Sequence, residues 1–359
     1  MQLNCTDSNL ATGFPKAARA FRNAANSFRF ACDSRLFAPA VRSDPMEEII
    51  VDAKTNGTLY VLQTRPPAII ALSSDGSHEA IVTDLSFTPD GIKVDAENGV
   101  IYWSNMGSGV HLIDSDPAAG AVPPNDGTIE RANLDGSDHR VLVASGLAGT
   151  PKELALDIEG GLIYWCDREG MRVMRARLDG SEVTVLVKTG EFPADTADAK
   201  RHCVGIALDK PNGHLYWTQK GAPDAGEGRI FRASIDLPAG AAPDARPDIV
   251  CLLDKLPEPI DLDIDRQKNV LYWTDRGDDA HDGNTLNRAH VTPDGLVNHE
   301  VLAHGLKEGI GLSLDEAGRR AFVTDLGGNV LEFDIDTTEQ DHFTSIAHLG
   351  PLTGIDYVA

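Results

Sequence analysis

The sequence predicts an all-β fold: a six-bladed β-propeller of four-stranded blades, with a short N-terminal helical or irregular cap. Three observations carry this. One unit recurs six times along the chain. Each unit alternates apolar and polar residues with a period of two, as half-buried strands do. Gly or Pro interrupts the pattern about every 10 residues, which no run of helices tolerates.

The elements follow in order. Residues 1–46 lie outside the repeats and form the cap; residues 17–30 read as a short amphipathic helix beginning near Pro15. Residues 47–359 form the propeller. A degenerate first unit, IIVDAKTNGTLYVLQ, starts at Ile49. The second reads GIKVDAENGVIYWSN from Gly91, then GTIERANLDGSDHRVLV from Gly127. The third, ELALDIEGGLIYWCDREGMRVMRARLDGSEVTVLV from Glu153, is the clearest. The fourth starts GIALDKPNGHLYWTQ at Gly205 and the fifth IDLDIDRQKNVLYWTD at Ile260. The sixth, GIGLSLDEAGRRAFVTD from Gly309, is degenerate again. One aromatic marks the same point in each unit: Tyr60, Tyr102, Tyr164, Tyr216, Tyr272 and Phe322. Strand A ends in Asp, strand B carries the aromatic, and strand C is the R-A-x-L stretch. A D-G-S turn, as at Asp135-Gly136-Ser137, leads to strand D. Units of about 40–50 residues with four strands each are the mark of radial repetition. The segment Gly354-Ile355-Asp356-Tyr357 looks like one more strand A, placed to close the ring.

Composition removes several function classes. The 359 residues carry a net charge of −23, which repels a phosphate backbone, so a nucleic-acid partner is not expected. Hydrophobic residues at 42% exclude a disordered chain. No run of about 18 apolar residues is present to span a membrane as a helix. The five cysteines form no C-x-x-C pair. Cys5 with Cys32 and Cys203 with Cys251 are read as two disulfides, leaving Cys166 alone; five buried thiols are the alternative. Asn4 and Asn56 head glycosylation sequons. Together these favour a secreted protein whose leader has been removed, since Met1-Gln2-Leu3-Asn4 starts polar.

The Tyr-Trp pairs, Tyr272-Trp273-Thr274-Asp275 above all, and the R-A-x-L-D-G-S stretch resemble the YWTD, or LDL-receptor class B, repeat. The resemblance covers about residues 47–350 and departs where Tyr60-Val61-Leu62 and Phe322-Val323 replace Tyr-Trp. It implies that Asp167, Asp275 and Asp325 brace the blades through backbone hydrogen bonds. It likewise implies that Trp103, Trp165, Trp217 and Trp273 pack between blades. In receptors such propellers bind protein ligands beside Cys-rich modules. This sequence is also similar, as a solitary propeller, to the fungal hetero-Diels–Alderases of tropolone sesquiterpenoid pathways.

Strands alternate in direction, so the D-to-A and B-to-C connections share one face. The long insertions, residues 108–126, 191–202, 222–228 and 278–283, all fall there, whereas the other face is expected to keep short turns. A site is therefore expected at that mouth of the central channel. Its lining comes from just before strand A (Asp90, Lys152, His202, Glu258, Lys307, Glu308, Thr353) and just after strand B (Asn105, Met106, Arg168, Lys220, Arg276). Lys152, His202 and Arg168 are the candidate catalytic donors; the others are candidate substrate contacts. The run DRGDDAHD at residues 275–282 lacks the Gly and Glu positions of an EF-hand loop. No metal site or cofactor is expected.

There is no G-x-S-x-G elbow, H-E-x-x-H, phosphate loop or G-x-G-x-x-G opening a helix. What remains is chemistry without a covalent nucleophile. The expected function is a cofactor-free cycloaddition of a tropolone quinone methide with a terpene alkene, small apolar or polyketide and terpene substrates meeting at the channel mouth. The alternatives are an extracellular protein-binding propeller, and a metal-dependent lactonase or esterase using Glu258, Asn105 and Asp90.

Overall fold

A computed structural model describes residues 57–108 and 123–359. The cap, with Asn4, Cys5 and Cys32, lies outside the described residues, as does Asn56 of the second sequon.

The described residues form six four-stranded antiparallel sheets. Blade two comprises β4 (Pro89–Asp95), β5 (Val100–Asn105), β6 (Gly127–Asn133) and β7 (Arg140–Ala148). Blade three comprises β8 (Pro151–Asp157), β9 (Leu162–Asp167), β10 (Arg172–Arg177) and β11 (Thr184–Lys188). Blade four has β12 (Cys203–Asp209), β13 (His214–Gln219), β14 (Gly228–Ser234) and β15 (Val250–Leu256). Blade five has β16 (Glu258–Asp265), β17 (Val270–Arg276), β18 (Thr285–Thr292) and β19 (Gly295–Ala303). Blade six has β20 (Gly309–Asp315), β21 (Arg320–Asp325), β22 (Asn329–Asp334) and β23 (Phe343–His348). Blade one is composite. β1 (Thr58–Thr64), β2 (Pro67–Ser73) and β3 (Glu79–Asp84) are joined by β24 (Leu352–Val358), which pairs with β1 and takes the innermost place. The C-terminal strand thus closes the ring as strand A of the first blade.

Packing between blades is aromatic. Trp217 and Phe231 of blade four stack at 5.3 Å against Cys166, Val173 and Leu186 of blade three. Trp165 packs between blades two and three, Trp103 between one and two, and Trp273 between four and five. All four indoles are at most 1% exposed, so they are core and not a ligand platform.

Around the axis, the inner strands of neighbouring blades touch through their backbones. A Cβ on Gly311 would sit 2.5 Å from the Thr353 carbonyl oxygen, and one on Gly91 2.7 Å from that of Lys152. Only glycine allows this approach. The third letter of the YWTD motif stitches the same seam. Thr218 Oγ1 accepts from Gly205 N at 2.8 Å and donates to Ile260 O of the next blade at 2.7 Å. Thr274 does the same between Asp261 N and Ile310 O, at 3.2 and 3.1 Å. The Cys166 thiol donates to Gly205 O of the next blade at 3.2 Å, one residue further along the inner strand. The fourth letter fixes the connection into its own blade: Asp167 Oδ1 accepts from Gly149 N at 3.1 Å and Thr150 N at 2.8 Å, and Asp325 from Lys307 N at 3.1 Å.

Two expectations are corrected. Cys203 and Cys251 are free thiols. They lie on the innermost and outermost strands of one sheet, three strand spacings or roughly 14 Å apart, and a disulfide needs Cα atoms within about 7 Å. The face opposite the insertions is not uniformly short-turned either. The β14–β15 connection runs over residues 235–249. Arg246 clips it down, donating to Leu186 O of blade three at 3.0 Å and to Ser234 O at 2.7 Å, with Asp248 on its other edge.

Two outcomes follow. Gly311→Ala should destabilise by about 1–3 kcal/mol or more, read from the urea midpoint. Alkylation of the native protein followed by peptide mass mapping should label Cys251 and spare Cys166 and Cys203, and a reductant should leave the Cys203–Cys251 peptides unchanged.

Candidate functional site

A β-bulge opens the inner strand of every blade: three residues of strand A face two of strand B in all six. Such a bulge re-aims side chains. Here it places Thr353, Asp90, Lys152, Val204, Ile260 and Ile310 at one level of the channel, and every one is buried. Lys152 donates to Asp90 and lies 3.1 Å from the Met106 sulfur. Val204, Ile260 and Ile310 pack on one another, with Leu326 beside them. The layer is therefore polar over blades one to three and apolar over blades four to six, and it forms a floor beneath the mouth.

Above the floor the rim is set by register. The residue after strand B donates its backbone N–H to the residue before strand A: Met106 to Thr88 O at 3.0 Å, Arg168 to Thr150 O at 3.0 Å, and Lys220 to His202 O at 3.4 Å. In blade five the ladder itself pairs Arg276 with Glu258. The same position thus reads Thr64, Met106, Arg168, Lys220, Arg276 and Leu326 around the ring. Three consecutive blades present a cation, in a chain of net charge −23.

Each cation has a carboxylate mate. Arg168 Nε donates to Glu169 Oε1 at 2.6 Å, Lys220 Nζ to Glu258 Oε2 at 3.2 Å, and Arg276 Nε to Glu308. Burial pushes the Lys220 ammonium below its usual range; Glu258 opposes this, while Arg168 and Arg276 add to it. His202 Nε2 donates to Thr196 O at 2.9 Å. Its pKa is lowered, first by burial, with Glu169 acting against and Arg168 with that shift. Neutral imidazole is thereby favoured at pH 7. Burial works against the Glu169 carboxylate, yet Arg168 and His202 outweigh it and hold its pKa down.

The structure therefore brings Arg168, His202, Lys220, Glu258, Arg276 and Glu308 onto one arc of the mouth. Lys152 and Asp90 lie beneath it, with the Lys152 ammonium already engaged by Asp90 and the Met106 sulfur of the rim reaching down to it. Asn105 Nδ2 donates to Glu130 Oε1 at 3.2 Å and its Oδ1 accepts from Gly107 N at 3.0 Å. Thr353 Oγ1 donates to Pro89 O at 3.1 Å, and Lys307 is exposed on the blade-six connection. Sequence reasoning missed Glu169, although it follows Arg168 directly. Asp90 and Asn105 on blade two and Glu258 on blade five do not converge. Among the described residues no three His, Cys, Asp or Glu side chains are placed to hold a metal.

Sequence reasoning also missed the charged lumen below the floor. Lys93 Nζ donates to Asp356 Oδ1 at 3.1 Å. Burial opposes its charge, but Asp356, Asp263, Asp261 and Glu153 prevail and hold the ammonium above the usual lysine range. Asp261 accepts from Leu262 N and Leu312 N, both at 2.8 Å, yet burial raises its pKa to about 7. Glu153 is raised well above the ordinary carboxylate value, first by burial, then by Asp261 and Asp90. The signal was the polar residue at alternate positions of strand A, in IKVD, KELALD and DLDID, where other blades carry Gly, Ala or Ser.

No protein-family profile matches the chain. Curated proteins do. The low-density lipoprotein receptor-related protein 1 of Pyricularia oryzae is 43% identical over 309 residues, 83% of this chain and 94% of that protein. The 3-hydroxyacyl-CoA dehydrogenase-like protein LAM1 of Cochliobolus heterostrophus is 37% identical over 283 residues, 76% of this chain but 57% of that protein. Among solved structures, a chain of the nidogen–laminin complex superposes with a TM-score of 0.62 at 20% identity, covering 84% of this chain and 98% of that one. A gluconolactonase from Xanthomonas campestris gives 0.54 at 15% identity, covering 84% and 88%. At these identities the structural matches speak for the fold alone.

Lys152→Met should cost about 3–5 kcal/mol in chemical denaturation, because it leaves the Asp90 carboxylate buried without its cation. Asp261 gives a pH signature. Its folded pKa lies above its unfolded value, so the acid form is the stabilised one. That contribution is whole below about pH 4 and is lost as pH rises through about 7. The melting temperature should fall across this window in the parent protein and fall less in Asp261→Asn; parallel profiles would exclude Asp261 as the source.

Proposed function

The chain belongs to the YWTD, or low-density lipoprotein receptor-related, propeller family, with relatives in fungi, and from that premise we propose that it is a small-molecule enzyme of natural-product biosynthesis. The reaction is an intermolecular hetero-Diels–Alder cycloaddition at the channel mouth. The observation that carries this reading is the pair of donors Arg168 and Lys220, each held by a carboxylate at one level of the rim above a floor of buried side chains.

The chemistry asks for little else. The oxygen of a quinone methide forms a new C–O bond to one alkene carbon, and its exocyclic carbon forms a C–C bond to the other. Two σ bonds replace two π bonds, and the remaining π electrons restore the ring. No proton, electron or leaving group departs. Holding the partners face to face supplies about 7–11 kcal/mol. A hydrogen bond to the quinone methide oxygen stabilises the charge that builds there. Arg168, through its unused Nη groups, is the residue suited to that task. The hydrocarbon partner would meet Phe87, which stands exposed on the connection into blade two.

The dehydrogenase-like name of the Cochliobolus relative does not transfer. The match spans 57% of that protein, and this sequence has no G-x-G-x-x-G opening a helix. A metal-dependent lactonase is not supported, because Asp90, Asn105 and Glu258 are bonded apart. A protein-binding propeller is the second reading, and the exposed side chains of Phe87 and Leu147 favour it, since exposed apolar groups also suit a protein ligand.

The test is to generate a tropolone quinone methide in the presence of a terpene alkene and follow the adduct by chiral chromatography. We expect one enantiomer in excess, with Arg168→Gln lowering the rate roughly tenfold or more. A racemic adduct formed at the uncatalysed rate would remove the enzyme reading.

A further inference from the structure

We propose that Arg168, Lys220 and Arg276 form an oxyanion-binding site, taking a carboxylate, an ionised enol or a phosphate on the ligand that enters this mouth. Its location rests on the mouth proposed above as the functional site; its ligand chemistry does not depend on cycloaddition.

Three observations carry it. The first is register. The three cations occupy one ladder position in successive blades, so the approximate sixfold repeat sets them at one level of the mouth. The second is valence. Each arginine spends its Nε–H on a carboxylate, Arg168 on Glu169 and Arg276 on Glu308. Among the described residues neither shows a hydrogen bond from its Nη groups. A guanidinium has five donors in a rigid fork, and a carboxylate on one edge orients it while leaving the other edge for a bidentate oxyanion. The third is charge placement. Lys220 is 13% exposed at its side chain, Arg168 19% and Arg276 25%. Arg168 and Arg276 both act against the Lys220 charge, so the three lie within electrostatic reach of one another. Each cation keeps its own carboxylate, yet burial and the two neighbouring guanidinium groups still act against the Lys220 charge, and an anion among the three would oppose that. Elsewhere the pattern is different. Arg172, Arg319 and Arg320 put their Nη groups onto carboxylates of the fold.

The full chain is titrated by calorimetry at low ionic strength with two probes, sodium benzoate and inorganic phosphate. We expect saturable one-to-one binding of at least one, weakened by added sodium chloride as a surface-connected ion pair must be. Arg168→Gln and Arg276→Gln should each weaken it at least tenfold, with unchanged melting temperatures showing that both fold. Arg175→Gln, on the outer side of blade three against Asp236, should bind as the parent does. Tighter benzoate identifies a carboxylate or ionised enol, and tighter phosphate a phosphoryl group. No saturation with either probe, or binding that both mouth variants retain, would overturn the inference. Turnover without anion binding would remove this site and leave the enzyme reading standing. Anion binding without turnover would do the reverse.

Discussion

Six inner strands meet around an axis with almost no space between their backbones, and the rest of the molecule answers to that constraint. It accounts for Gly91, Gly205, Gly311 and Gly354 on the strands that line the channel. It also gives the third motif residue its role, since the hydroxyls of Thr218 and Thr274 reach both a backbone N–H and the carbonyl of the next blade, and the Cys166 thiol reaches the carbonyl. The bulge belongs to the same solution. An extra residue in each inner strand lets the backbones approach and turns a side chain toward the axis. The floor of the mouth is built from those turned residues, so the seam that holds the ring together also decides where a ligand must stop.

The axis is also an electrostatic column. From the lower face upward it passes Lys93 with Asp356 and Asp263, then Asp261 and Glu153, then Asp90 with Lys152, and last the paired cations of the rim. Charges inside a protein interact through a low effective dielectric, so each layer senses its neighbours. Carboxyl groups dominate the lower layers and cations gather at the top. At the rim three cations stand against three carboxylates, so the overall acidity of the chain is locally balanced there.

The fold was legible because its signals are local and repeated: the Tyr-Trp pairs, the terminal Asp of strand A and the D-G-S turns each specify a strand or a turn where they stand. Register carried the reading further, since it placed Arg168, Lys220 and Arg276 at one mouth. What could not be read was distance across a sheet. Cys203 and Cys251 looked like a loop closed by a disulfide, but three strand spacings separate them. Lys152 stood out as a free donor because its partner Asp90 lies 62 residues earlier, on another blade. The 235–249 connection escaped notice for a related reason: Arg246, which anchors it, reaches carbonyl groups on two different blades.

Blade one is assembled from both ends of the described chain, with Thr64 bonded to Pro351 across 287 residues of sequence. On a ribosome, β1 emerges early and waits with an open edge while five other blades are made. Those five can fold as they appear, each on the face of the one before. The ring itself can shut only when the last strand has left the exit tunnel. Assembly is therefore vectorial up to a final latch, and a chain cut short by a single strand would be released as an open horseshoe.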